Sequence, residues 1–296
     1  MPCIPAGNMI NEMKVRMNDQ RRFVIIGPGV MGEAITMGLI NKQVVQPQQI
    51  IVAGPRVERL QELEAKYEVQ KSLNNAAAIY GSDVIILCVK PQKLPAVMNE
   101  LYGKIPSAAL VISIVAGTTI QSLVKGLDHD SIVRAMPNTP AQVGEGMTVW
   151  SHNLGTIGDH HTLAQQILGA LGEEIFVEEE SYIDMATAVS GTGPAYVFLF
   201  VEALIDAGVH LGLPRRIAEE MVLQTIKGSV SFYIQNQSHP ARLRNQVTSP
   251  GGTSATALYY LEKMGFRTAI SRAIWAAFTR SQELGKGQNH QDPEKI

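Results

Sequence analysis

The feature that most constrains the fold is a glycine triplet set directly behind an apolar run: Phe23-Val24-Ile25-Ile26 leads into Gly27-Pro28-Gly29-Val30-Met31-Gly32. Apolar residues in unbroken succession suit a strand buried on both faces. Gly27 permits a tight turn, Gly29 lets a ligand approach the backbone, and Gly32 lets the next helix pack close on the strand. That helix opens with free N–H groups and a positive dipole end, which together favour an anion. In a strand–turn–helix setting the pattern specifies a dinucleotide site.

The chain continues as the first turn promises. Up to about residue 177, β-rich runs at 50–53, 84–89, 109–115 and 131–135 alternate with helical patterns such as 30–41 and the charged 57–67. Such alternation predicts a parallel sheet with helices on both faces. Beyond residue 180 the pattern turns helical, over 182–189, 194–211, 214–234, 240–247 and 254–284, the last broken near Gly265. Pro194 and Pro214 stand where a first helical turn tolerates proline. The expected fold is α/β: a Rossmann-type parallel-sheet domain over 21–180, then an all-helical domain over 181–286. Residues 1–20 are expected to be a flexible extension, with Met9, Met13 and Met17 as alternative starts, and 287–296 a polar tail.

Composition narrows the partners. A net charge of -2 leaves no basic footprint, so nucleic acid is not an expected partner. The two cysteines, Cys3 and Cys88, make neither a disulfide framework nor a metal site, and Cys88 reads as a small buried hydrophobe. A reducing compartment, the cytoplasm, is the expectation, with no metal. The first twenty residues carry Glu12 and Asp19 and fail as a signal peptide. No apolar run reaches the roughly 20 residues of a membrane span. The best, 195–201, is ended by Glu202 and Asp206 and reads as a helix in a core or subunit interface, so self-association is expected rather than a membrane.

Cofactor choice is read at the end of the second strand. Ala53-Gly54-Pro55-Arg56 offers no carboxylate for a ribose 2′-hydroxyl and one guanidinium suited to a 2′-phosphate. NADPH is therefore expected, with NADH as the alternative donor. Three further segments stand out: Val89-Lys90-Pro91-Gln92 and Met136-Pro137-Asn138-Thr139-Pro140 at strand ends, and Ser249-Pro250-Gly251-Gly252-Thr253-Ser254 before a helix. Backbone N–H groups in the last could cradle a carboxylate. Each alone is also an ordinary turn or cap.

Together these segments resemble the Δ1-pyrroline-5-carboxylate reductase family over about residues 22–285. The resemblance also takes in Ala116-Gly117-Thr118, Glu145-Gly146, Ser190-Gly191-Thr192-Gly193-Pro194-Ala195-Tyr196 and His239-Pro240. It implies NAD(P)H-dependent reduction of a cyclic imino acid to L-proline. Ile26, Gly27, Pro28, Gly29, Val30 and Met31 would then wrap the pyrophosphate, and Asn75 would contact the adenosine end. Val89, Lys90, Pro91, Ile114, Val115 and Ala116 would line the rest of the cleft. Ser249, Gly251, Gly252 and Thr253 would hold the substrate carboxylate, and the Ser254 hydroxyl would bond the ring nitrogen as the catalytic contact. The resemblance further implies a dimer-based assembly through interlocking helical domains. The chain departs from the family in having Ser254 where threonine is common, Asn245 where an aspartate is common, and Gln237 where some members carry glutamate.

Imine reduction needs a hydride at carbon and a proton at nitrogen. An iminium is already electrophilic, so orientation matters more than a strong acid. His239, before Pro240, reads as a helix-start residue, and Lys90 as a cleft cation or an acid. Competing readings are a β-hydroxyacid-type reductase, a reductase of the six-membered imine, and a non-catalytic NADP-binding sensor. The first needs a lysine on a long helix of the second domain. Residues 194–211 hold none, and Lys227 falls outside every motif.

Overall fold

The computed structural model describes residues 21–153 and 159–285. The expected extension 1–20, with Cys3 and the three methionine starts, and the expected tail 287–296 lie outside the described residues.

The chain enters at β1 (Phe23–Ile26), passes through α1 (Val30–Asn41) and returns as β2 (Ile50–Ala53). α2 (Val57–Tyr67) and β3 (Gln70–Ser72) complete one half of the sheet, and α3 (Asn75–Ala78) leads across to β4 (Val84–Leu87). Then come α4 (Leu94–Leu101), β5 (Leu110–Ser113), α5 (Ile120–Leu127), β6 (Ile132–Met136), β7 (Gly146–His152), α6 (His160–Gly169) and β8 (Gly172–Phe176). The strand order is 3-2-1-4-5-6-7-8. β1 lies parallel to both neighbours, with Ile26 level with Ala53 on one side and Leu87 on the other. Sequence order therefore reverses between β1 and β4, and open α/β sheets bind ligands outside the carboxyl ends of such a pair.

Period-two alternation splits the strand residues between two cores. Phe23, Ile25, Val52, Ile86 and Ile112 face one set of helices, while Val24, Ile26, Ile51, Ile85 and Val111 face the other. This double burial is what an unbroken apolar run requires.

Three strands were not legible as such. β3 is an edge strand of polar, mostly exposed residues, β7 opens on glycine and mixes polarities, and β8 is an edge strand with alternating exposure. β7 is also antiparallel to β6, the one departure from a parallel sheet among the described residues. The runs at 84–89 and 109–115 end as strands at Leu87 and Ser113. Their last residues leave the ladder to become loops at the carboxyl edge.

After β8, α7 (Ser181–Ala186) passes through a π turn over Thr187–Gly191 into α8 (Gly193–His210). α9 (Arg215–Asn236), α10 (Pro240–Gln246), α11 (Thr253–Lys263) and α12 (Phe266–Gly285) follow. The break at Gly265 is a left-handed residue, φ +76°. By packing, the described chain forms two compact units: residues 21–192 with 277–285, and Gly193–Ala276. In the second, α8 and α9 approach closely where Gly208 faces Ala218, and Arg215 pairs with Asp206 at 2.9 Å.

Within one chain, Phe198 and Leu199 of α8 remain 65% and 67% exposed. The helical run Ser181–His210 is 30 residues long, and its apolar stretch is mostly unburied. By length and composition alone this helix could cross a membrane, although Glu202 and Asp206 interrupt its apolar run without ending the helix.

Candidate active site

The glycine loop lies across the β1/β4 boundary. Gly27 N donates to Ala53 O at 2.9 Å, and its φ is +104°. A Cβ there would stand 2.7 Å from the Cys88 carbonyl and 2.9 Å from Val89 N, so this glycine lets the loop lie directly on the end of β4. At Gly32 a Cβ would meet Gly27 O at 2.3 Å, which closes the helix on the strand. Gly29 differs: nothing lies within 4 Å of its would-be Cβ. Two glycines are thus filled in by the protein and the third faces open space. Gly29 is the N-cap of α1 without a side-chain cap, and the helical bonds begin at Glu33 N. The amides of Val30, Met31 and Gly32 are left for an outside acceptor, and a pyrophosphate fits such a cradle.

Around this floor stand the other expected cofactor residues. Arg56 is the exposed N-cap of α2: its carbonyl accepts from Leu60 N at 3.1 Å, and its guanidinium has no hydrogen bond or ion pair among the described residues. Asn75 donates Nδ2 to Glu100 Oε2 at 2.8 Å, while its Oδ1 is buried without a partner among the described residues. Lys90 is exposed and Pro91 opens a short 3-10 turn. Ile114 N donates to Leu87 O at 3.1 Å, and Val115 N to Ser113 Oγ at 3.3 Å. Gly117, next after Ala116, adopts φ +77°, and a Cβ there would meet Gly285 N at 2.7 Å, so the end of α12 braces this loop. Burial pushes the Cys88 thiol pKa upward, which suits packing rather than nucleophilic chemistry. No three His, Cys, Asp or Glu side chains group for a metal among the described residues.

Two motifs far apart in sequence meet in the first unit. Asn138 donates Nδ2 to Ser190 O at 3.1 Å and accepts from Met147 N at 2.9 Å, and Met136 Cε fills the space over Gly191. Thr192 N bonds Thr187 O at 2.8 Å, closing the π turn. Single π turns of this kind gather at functional sites.

The loop 249–254 belongs to the second unit. Gly251 takes φ +70°, Gly252 N donates to Ser249 O at 3.1 Å, and a Cβ at Gly252 would stand 2.4 Å from Ser249 Oγ. Gly252 is the N-cap of α11, so Thr253 and Ser254 are its first two helical residues. The helical bonds begin at Thr256 N, which leaves the amides of Thr253, Ser254 and Ala255 without a backbone acceptor. The Ser254 hydroxyl has no partner among the described residues. It is not the cap. His239, by contrast, caps α10 through Nδ1, which accepts from Ala241 N at 3.2 Å, as a helix-start residue should. Lys227 lies exposed on α9.

Sequence reading missed the side chains that brace these loops. Arg59 reaches back to Pro28 O and Glu33, and Arg134 of β6 pairs with Glu180 and Asp184. The available signal was a carboxylate, Glu33, in the first turn of an anion-binding helix, a conflict that demands a cation nearby.

Comparison with known proteins follows the same division. Residues 22–117 match the family described as "NADP oxidoreductase coenzyme F420-dependent", and 180–284 match "Pyrroline-5-carboxylate reductase dimerisation". A pyrroline-5-carboxylate reductase of Synechocystis sp. is 47% identical over 262 residues, covering 88% of this chain and 97% of that one. One from Glycine max is 38% identical, covering 88% and 94%. The crystal structure of Plasmodium falciparum pyrroline carboxylate reductase with NADP bound superposes with a TM-score of 0.83 at 33% identity, covering 90% of this chain and 99% of that one.

Proposed function

The chain belongs to the pyrroline-5-carboxylate reductase family, and on that premise we propose how its own residues carry the reaction. The activity is reduction of the cyclic imine 1-pyrroline-5-carboxylate to L-proline with a nicotinamide cofactor, the last step of proline biosynthesis. The cofactor, when bound, supplies the hydride that the imine carbon receives. The free amides behind Gly29 hold its pyrophosphate, Asn75 contacts its adenosine end, and residues 89–91 and 114–116 line its cleft. The loop from Ser249 to Thr253 turns backbone donors on the substrate carboxylate, and the Ser254 hydroxyl bonds the ring nitrogen. The observation that carries this reading is the pairing of an unpartnered Ser254 hydroxyl with a helix start whose first three amides are free. The purified protein should oxidise NADPH steadily when given pyrroline-5-carboxylate; no turnover with either nicotinamide would sink the assignment.

Ser254→Ala should lower kcat/KM about 10- to 100-fold, the loss of one hydydrogen bond of roughly 1.5–3 kcal/mol. Cofactor affinity should not change, and neither should stability, because Gly252 is the cap. Ser254→Thr should stay active, its extra methyl restricting χ1. Wild-type kinetics in Ser254→Ala, together with dead chemistry but intact cofactor binding in Lys90→Ala, would move the proton to Lys90.

We propose NADPH as the preferred donor on the strength of Arg56, exposed and unengaged at the end of β2. Arg56→Ala should weaken NADPH about tenfold while leaving NADH nearly untouched, the worth of one charged contact. Equal losses by fluorescence titration would show that Arg56 does not read the phosphate.

The chain self-associates through its dimerisation region. We place the partner against the exposed apolar side chains of α8, including Phe198 and Leu199, in a dimer or an assembly of dimers, with the cytoplasm as its setting.

A further inference from the structure

We propose that Arg59 is a positioning residue for the cofactor, holding the glycine loop in its binding shape by gripping the Pro28 carbonyl and the Glu33 carboxylate at once. The inference rests on reading residues 27–32 as the pyrophosphate seat. Glu33 places a negative charge in the first turn of α1, at the helix end that must attract a diphosphate. Left alone, it would compete for that positive end. The structure surrounds it with donors: Lys66 Nζ and Tyr67 Oη each at 2.9 Å, and the Arg59 guanidinium. Burial raises the Glu33 carboxyl, but the hydrogen bonds from Lys66, Arg59 and Tyr67 outweigh it and hold the pKa at about 2. The carboxylate is therefore an ionised anchor near neutral pH.

Arg59 uses that anchor. Its Nε donates to Pro28 O at 3.1 Å, between Gly27 and Gly29, and Nη1 reaches Glu62 at 2.7 Å. With its donors so committed and its side chain 18% exposed, little remains for a ligand. Arg56, one turn earlier and exposed, has the opposite character. The two arginines divide the work: Arg59 shapes the loop for any nicotinamide dinucleotide, and Arg56 is left to a 2′-phosphate.

Arg59→Met is the test, since Glu33 keeps Lys66 and Tyr67 and the fold is not left with an unpaired charge. The dissociation constants of NADPH and NADH should both rise by one common factor, about tenfold, the loss of a charged grip on the loop. At saturating NADPH, kcat should match wild type. Arg59→Lys should recover part of the affinity, because an ammonium reaches Glu33 but lacks the fork that serves Pro28 as well. Unchanged dissociation constants in Arg59→Met would overturn the proposal, and so would a loss confined to NADPH, which would make Arg59 the phosphate reader. Gly29→Val tests the seat separately. A Cβ there meets nothing within 4 Å, so Tm should fall only slightly, by the weaker N-cap, while both dinucleotides are excluded. Normal binding by Gly29→Val would overturn the seat itself, and with it the role of Arg59.

Discussion

Gly27→Ala is expected to cost at least about 100-fold in NADPH affinity and to lower Tm. Two separate conflicts produce the loss. At φ +104° the residue lies where an L side chain is strained, beyond the left-handed well that itself costs roughly 1–2 kcal/mol. The added Cβ would also sit 2.7 Å from the Cys88 carbonyl and 2.9 Å from Val89 N. Those are backbone atoms at the end of a fully buried strand, not the tip of a flexible side chain. Relief must come from the loop lifting off β4, and overpacking of this kind costs typically about 1–3 kcal/mol. A lifted loop carries the amides of Val30, Met31 and Gly32 away from the pyrophosphate. The measurement is Tm with and without saturating NADPH. Wild type should gain stability by linkage, whereas Gly27→Ala should start lower and gain almost nothing. An alanine variant that binds NADPH normally would show that the loop has slack this geometry does not reveal.

The parts of this site that were legible in the sequence are the parts built locally. Gly27, Gly29 and Gly32 act within one turn of chain, so their order alone gives the strand, the bend and the helix. β1, β2 and β4 could be read because burial on both faces removes every polar residue from the run. β3, β7 and β8 could not: polar edge strands and a glycine-led strand of mixed polarity carry no such signature. Long-range pairings were silent for a similar reason. Arg59 and Pro28 are 31 residues apart, and Asn138 and Ser190 are 52 apart. Nothing in either local pattern names the partner. Ser254 shows the reverse case. Before a helix, serine reads equally as a cap or a ligand contact, and the observed cap at Gly252 is what separates the two.

Arg134 is the clearest residue hidden from sequence, and its loss should be the largest stability change. A lone arginine in Ile132-Val133-Arg134-Ala135-Met136 has the look of a strand end turned to water. Instead its side chain is 2% exposed, with Nη1 at 2.8 Å from Glu180 Oε1 and Nη2 at 2.6 Å from Asp184 Oδ1. Both oxygens serve again: Glu180 accepts from Ile120 N at 2.8 Å, at the start of α5, and Asp184 from Ser281 Oγ at 3.1 Å, in α12. One guanidinium thereby joins β6 to α7, and through the two carboxylates to α5 and α12. Arg134→Met fills the same space without the charge and leaves two carboxylates facing a buried apolar side chain. Breaking one side of a buried ion pair costs roughly 3–5 kcal/mol, and the partial exposure of Glu180 and Asp184 argues for the lower end. For a chain of this size that corresponds to a fall in Tm of about 10 °C. The decisive comparison is the triple variant Arg134→Met, Glu180→Gln, Asp184→Asn. With the stranded charges removed, most of the lost Tm should return, because the neutral amides leave no uncompensated charge beside the new methionine and their oxygens can still accept from Ile120 N and Ser281 Oγ. If the triple variant is no more stable than Arg134→Met alone, the arginine acts through packing rather than charge. A single variant that melts like wild type would mean that α7 is held to the sheet by other contacts.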